Sequence, residues 1–122
     1  MISLCCLDRF SDKLAIVDNS YGHTAGLAHQ HGASSYITGI GAFWPRGEAE
    51  FWALLEEGKY AEAERGRARI APYSRLFFGE FFTGPHEVQG SALIKASLEY
   101  VGLHGGPVRP PFRELKPEEK SH

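Results

Sequence analysis

The apolar positions of this chain follow two rhythms, a continuous one early and a helical one later. Leu14-Ala15-Ile16-Val17 is an unbroken apolar run behind the polar turn Ser11-Asp12-Lys13. Runs of that kind suit strands covered on both faces, as in parallel sheets. Residues 36–40, YITGI, are dense in β-branched and aromatic types and follow Gly32-Ala33-Ser34-Ser35, which predicts a second short buried strand. Between the two, Asp18-Asn19-Ser20 offers turn and N-cap oxygens. Residues 21–30 then form a short helix, weakened by Gly22 and Gly26. YITGI runs into Gly39-x-Gly41, followed by the pair Phe43-Trp44 and Pro45, whose missing N–H suits a first helical turn. Phe51, Leu54 and Leu55 share one face of a helix over 45–57, and Gly58 stops it.

The order strand, helix, strand, helix implies a parallel pair with a crossover connection. Both strands then end on one rim, with 19–23 beside 38–43. After Lys59 the spacing is helical throughout: Ala63, Gly66, Ile70, Tyr73, Phe77 and Phe81 recur every three or four residues. Pro72 is expected to kink that helix. Thr83-Gly84-Pro85 breaks it, and 89–101 forms another. The tail from Gly102, with prolines at 107, 110, 111 and 117, is expected to lie extended over the surface. At the other end, residues 1–7 are apolar but lack a basic flank and are cut off by Asp8-Arg9, so they read as helix or packing surface rather than signal peptide or membrane span. Two parallel strands alone leave apolar faces and both edges unpaired. Partner strands are therefore expected, from another chain or from a part outside this one.

Composition narrows the class. A chain of 122 residues is one domain's worth at most, and 43% hydrophobic with 23% charged residues is the mix of a globular protein. A net charge of −2 gives no electrostatic case for nucleic acid or an anionic membrane. Cys5 and Cys6 are adjacent and are the two cysteines of the chain, which disfavours a structural disulfide and points to a reduced, cytoplasmic protein.

The candidate chemistry is sparse. His23, His29 and His31 invite a metal reading, but 29 and 31 face different sides of a helix, with no cysteine or well-spaced carboxylate beside them. No metal and no cofactor is expected. Gly39-Ile40-Gly41 continues neither nucleotide-binding pattern, and its glycines read as room for close backbone approach. Arg65, Arg67, Arg69 and Arg75 alternate with Glu62, Glu64 and Glu80, as on a solvated helix face. Trp44, Trp52, Phe77, Phe78, Phe81 and Phe82 read as core or subunit contact.

Three stretches together carry a resemblance: HQHGASSYITGIGAFWPR, then LLEEGKYAEAERGRARIAPY, then SALIKASLEYVGLHGGPVRPPFREL. In this order they resemble the C-terminal part of the dihydrodipicolinate synthase / N-acetylneuraminate lyase family, class I aldolase-type (β/α)8 barrels. The first is similar to the seventh helix, eighth strand and start of the eighth helix. The second, with its Gly58-Lys59-Tyr60-x-x-Ala63, is similar to the helix pair after the barrel. The third is similar to the closing helix, with Lys95 and a GxxGGPxRxP ending, and Lys95 is expected to pack or pair rather than catalyse.

The resemblance implies an α/β fold, an incomplete (β/α)8 barrel. Residues 1–58 supply its last two strand–helix units, and 59–122 form a C-terminal helical extension with a Pro-rich tail. It also implies a Schiff-base lyase, an aldolase or dehydratase acting on pyruvate or 2-keto-3-deoxy sugar acids. In the family the imine-forming lysine lies on strand six and the proton-shuttling tyrosine on strand five. Both precede the matched part, so no catalytic residue is expected here and the chain alone is expected to be inactive. The strand ends would line the substrate pocket: Asn19, Ser20 and His23 after the first strand, Ile37, Thr38 and Gly39 at the second. The family's strand-seven end carries a glycine and polar or acidic residues, and Asn19-Ser20-Tyr21-Gly22-His23 departs from that. The bland alternative is that Ser20 caps the helix and Thr38 fills the strand. A 2-keto acid is expected to bind only once the rest of the barrel is present, in a homo-oligomer or with a complementing chain. The competing reading is a non-catalytic half-barrel module that associates with a partner chain.

Overall fold

Both strands form and pair in parallel, but each is only two residues long. The computed structural model describes residues 4–77 and 90–121. Strand β1 is Val17–Asp18 and β2 is Ser35–Tyr36, with Val17 opposite Ser35 and Asp18 opposite Tyr36. The pairing extends one step each way, since Ser34 N donates to Ile16 O at 2.9 Å and Ile37 N to Asp18 O at 2.8 Å. The predicted strands were longer and offset. Leu14 is still leaving helix α1 (Leu4–Phe10), its amide bonded to Phe10 O at 2.8 Å. After Ile37 the chain curls into a 3₁₀ turn, Ile40–Ala42, whose first amide is taken by Thr38 Oγ1 at 3.1 Å.

Helix α2 (Ala25–Gln30) starts four residues later than the spacing predicts. Tyr21 at φ 53° and Gly22 at φ 86° lie in the left-handed region, which an α-helix cannot contain. Gly26, read as a weakness, is a point of contact: a Cβ there would lie 2.7 Å from Glu64 Oε1 and 3.7 Å from Leu55. Helix α3 (Pro45–Glu56) carries Pro45 in its first turn as predicted. It ends where Gly58, at φ 71°, donates to Leu55 O and Lys59 N to Leu54 O, the crossed bonds of a glycine-terminated helix. Helix α4 (Tyr60–Arg67) then packs back on α3 and α2. Ala25, Phe51, Leu55 and Ala63 form the core of these helices, with Tyr36, Trp52, Leu54 and Tyr60 around them. A smaller cluster of Leu7, Ala28 and Ala33 with Ile16 seats α1, the packing role expected for the first residues.

The long kinked helix does not form. A 3₁₀ turn, Ala68–Ile70, follows α4, and Pro72 sits in the first turn of a new helix, α5 (Ala71–Leu76), where it costs no hydrogen bond. The chain divides there into two compact units, Met1–Arg67 and Ala68–His122. In the second, helix α6 (Gly90–Tyr100) matches the predicted 89–101 within a residue at each end. Its Lys95 turns back on the loop that follows, Nζ donating to Gly105 O at 3.0 Å and Pro107 O at 2.8 Å. The tail is tied rather than loosely laid down. Leu115 is buried, and Arg113 grips Glu119 with both guanidinium ends at 2.7 and 2.8 Å. Expectations for Phe78, Phe81, Phe82 and Thr83-Gly84-Pro85 fall outside the described residues. Among the described residues no helix is long and apolar enough to cross a membrane.

Candidate functional site

The parallel pair delivers the chain to one rim twice, after Asp18 and after Tyr36. Asp18 is 1% exposed and holds the first exit together. Ser20 Oγ donates to its Oδ2 and Thr24 Oγ1 to its Oδ1 at 3.2 Å, while Thr24 N donates to Ser20 Oγ at 2.9 Å. A buried carboxylate needs such donors, and these bind β1, its loop and the approach to α2 into one piece. Ser20 therefore does what the bland alternative proposed, serving the helix start, and it also braces Asp18.

The six predicted rim residues separate by role. Asn19 and His23 are exposed, with His23 N bonded to Ser20 O at 3.1 Å. Ser20 is half-buried on Asp18. Ile37 presents an exposed side chain while its amide is spent on Asp18 O. Thr38 and Gly39 are half-buried, and the Thr38 hydroxyl is committed to its own turn. Among the described residues a Cβ at Gly41 would make only ordinary contacts, 3.7 Å from Thr38 and 4.0 Å from Glu48.

Residues alternate across a strand, and here the two faces differ. Asp18 and Tyr36 turn to the helices. On the other face Val17 is 42% exposed and Ile37 50%, with Leu14 at 62% just before the strand. The apolar run predicted to be covered on both faces is thus covered on one among the described residues.

A second polar group at the rim went unread in the sequence. Arg67, counted above among a solvated arginine face, is instead largely withdrawn from solvent: its side chain is 11% exposed and that of its buried partner Glu48 8%. Arg67 Nη1 donates to Glu48 Oε1 at 3.3 Å and Nη2 to Tyr21 O at 3.0 Å. Tyr36 Oη donates to the other Glu48 oxygen, and the guanidinium lies 4.6 Å from the Phe51 ring centre and 5.8 Å from that of Tyr36. Burial, and then the adjacent Glu48 carboxylate, push the Tyr36 hydroxyl well above its usual range, with Arg67 opposing. Tyr36 thus keeps its proton and donates it to Glu48. The pairing crosses 19 residues between Arg67 and Glu48 and 46 to Tyr21, so no local spacing announces it. The one readable hint was Glu48 in the first turn of α3, where a carboxylate suits the helix dipole.

The histidines are likewise placed by packing. His29 lies edge-on to Trp52 at 5.1 Å between ring centres, with Tyr60 Oη and Glu56 Oε1 each 3.2 Å from a ring nitrogen. His31 Nδ1 is 2.8 Å from Asp8.

Parallel strands with helices on one face, a bare apolar face on the other and polar loops at their carboxyl ends are the arrangement found within a (β/α)8 barrel. The model of the Dihydrodipicolinate synthetase family matches residues 9–122, and the chain belongs to that family. It is 33% identical over 94 residues to a protein of Methylobacterium radiotolerans named "Probable 5-dehydro-4-deoxyglucarate dehydratase", covering 74% of this chain and 28% of that protein. A protein of the same name from Rhizobium rhizogenes is 29% identical over 115 residues, covering 91% of this chain and 36% of that protein. The chain thus spans about a third of the length of the curated relatives it matches.

Proposed function

We propose that this chain is the C-terminal portion of a Schiff-base lyase, a dehydratase acting on a 2-keto-3-deoxy sugar acid. Its imine-forming lysine and proton-shuttling tyrosine would lie outside these residues. The observation that carries this reading is the family match over 9–122 together with the shared name of the two relatives. Numbered from its other carboxyl group, a 5-dehydro-4-deoxy hexarate is a 2-keto-3-deoxy diacid. A lysine imine at the ketone acidifies the neighbouring CH₂, and the enamine formed on its deprotonation expels the next hydroxyl as water. Aldol cleavage of a pyruvate-derived substrate begins from the same imine, and the relatives' names favour dehydration.

In this reading 19–23 and 37–39 are two of the loops that line the pocket. Ile37 supplies backbone and an apolar wall, and exposed Asn19 and His23 meet substrate hydroxyls. Ser20 and Thr38 serve mainly to shape their loops. The bare face at Val17 and Ile37 takes the strands that precede β1 in the barrel, from the same polypeptide or a complementing one. The same exposed face also favours a non-catalytic half-barrel module, which would associate with those strands yet support no turnover.

The test is a borohydride trap. The chain is incubated with pyruvate, and separately with a 2-keto-3-deoxy sugar acid, then reduced and weighed, alone and with a polypeptide carrying the preceding strands. An adduct on that polypeptide and none on this chain is expected. A stoichiometric adduct on Lys13, Lys59, Lys95, Lys116 or Lys120 would overturn the placement of the lysine, and no adduct anywhere would overturn the imine chemistry.

A further inference from the structure

We infer that Arg67 is a positioning residue that fixes the shape of the loop after β1 and thereby sets where Asn19, Ser20 and His23 stand at the rim. The link to a substrate rests on the function proposed above, whereas the geometry stands by itself. The loop keeps an unfavourable backbone at two consecutive positions, beyond the ends that Asp18 ties down. Tyr21 at φ 53° and Gly22 at φ 86° are consecutive left-handed residues, and Tyr21 carries a Cβ that disfavours that region. Something must hold them there. The guanidinium of Arg67 occupies the space beside Gly22, with Nη2 only 1.8 Å and Cζ 2.4 Å from where a Cβ would sit, and it donates to the Tyr21 carbonyl at 3.0 Å.

Arg67 is itself immobilised from three sides. Glu48 on α3 takes its Nη1, the Phe51 ring lies beneath it, and the Tyr36 ring at the end of β2 stands beside it with its hydroxyl on Glu48. A planar fork can serve a carboxylate and a carbonyl at once, which the single ammonium of a lysine cannot do in the same geometry. Strand β2 and helices α3 and α4 thus converge through one side chain on one loop carbonyl.

Amide hydrogen exchange on this chain tests the inference with no substrate present. The reporters are Thr24 N, bonded to Ser20 Oγ, and His23 N, bonded to Ser20 O. The controls are Gly58 N and Lys59 N, which close the end of α3. In Arg67→Lys, which keeps the charge beside Glu48, the loop amides are expected to exchange at least about tenfold faster while the control amides stay within about twofold. Arg67→Met should do the same or more. The second arm is a cycle with Gly22→Ala. The added methyl should disturb the loop amides far more beside Arg67 than in the Arg67→Ala background, where its space is vacated. Loop exchange unchanged in Arg67→Lys, or an equal effect of Gly22→Ala in both backgrounds, would overturn the inference. Neither arm depends on imine formation, so a failed borohydride trap and a failed exchange test are separate results.

Discussion

Asp18 and Tyr36 stand opposite each other in the parallel pair and both turn to the helix-covered face. Asp18 binds the loop to α2, and Tyr36 packs on Phe51 at 5.8 Å and Trp52 at 5.6 Å between ring centres. Their neighbours Val17 and Ile37 turn the other way, to a face that the described residues leave uncovered. Neighbouring strands within a (β/α)8 barrel share this two-sidedness.

It separates substitutions by face. In the monomeric chain, at a concentration too low for association, Ile37→Ser and Val17→Thr are expected to change stability by no more than about 0.5 kcal/mol. Tyr36→Ala on the covered face should cost about 3 kcal/mol, because it leaves a cavity beside Phe51 and removes the donor to one Glu48 oxygen. Thermal midpoints of the three variants check this, and equal shifts on both faces would contradict it.

The Glu48–Arg67 pair is buried, and a broken buried pair leaves an uncompensated charge. Glu48→Ala should therefore cost about 3–5 kcal/mol, against less than about 1 kcal/mol if the pair behaved as an exposed one. A denaturation midpoint close to that of the parent chain would place the pair in the exposed class.

Asp18→Ala removes the acceptor for two hydroxyls at once. A loss of about 1–3 kcal/mol is expected, with faster amide exchange at Thr24. A neutral result would mean that Ser20 and Thr24 hold the loop without the carboxylate.

Much of the architecture was legible because it is local. The helix from Pro45 to its Gly58 stop, the α6 helix and the order of parallel strands all follow from propensities and spacing within a few residues. Strand limits were not. Leu14 and Ile40 have strand character, yet α1 and the Thr38-capped turn claim them through their own hydrogen bonds. Pro72 shows the same competition, since ending one helix and starting another satisfies more amides than kinking a long one. Ser20, Ile37 and their neighbours were proposed as rim residues through the family resemblance. Arg67 was misread because its partners lie 19, 31 and 46 residues away, at Glu48, Tyr36 and Tyr21. A periodic reading sees only the four residues on either side of an arginine.

The tail has its own pH signature. Glu119 accepts from both ends of the Arg113 guanidinium and from Lys116 N at 2.7 Å, which holds its carboxyl down at about 2 against a usual 4.5. A depressed carboxyl contributes stability above its unfolded value and loses it as the pH falls. The clamp is thus intact above about 4.5 and released as the pH falls toward about 2. The Glu119 carboxyl resonance should titrate near that lower value, and Arg113→Gln should return it toward 4.5. A midpoint near 4.5 in the parent chain would show that the clamp is open in solution.

The most direct test of the account is light scattering on the purified chain during size-exclusion chromatography, followed by a thermal melt. If β1 and β2 are the last strands of a barrel whose apolar face needs further strands, the chain should run above monomer mass by associating through that face. It should return to monomer mass in Val17→Asp/Ile37→Asp, and run as a one-to-one complex when a polypeptide carrying the preceding strands is supplied. A monodisperse monomer that unfolds in one cooperative transition would contradict it, because the bare face would then need no cover.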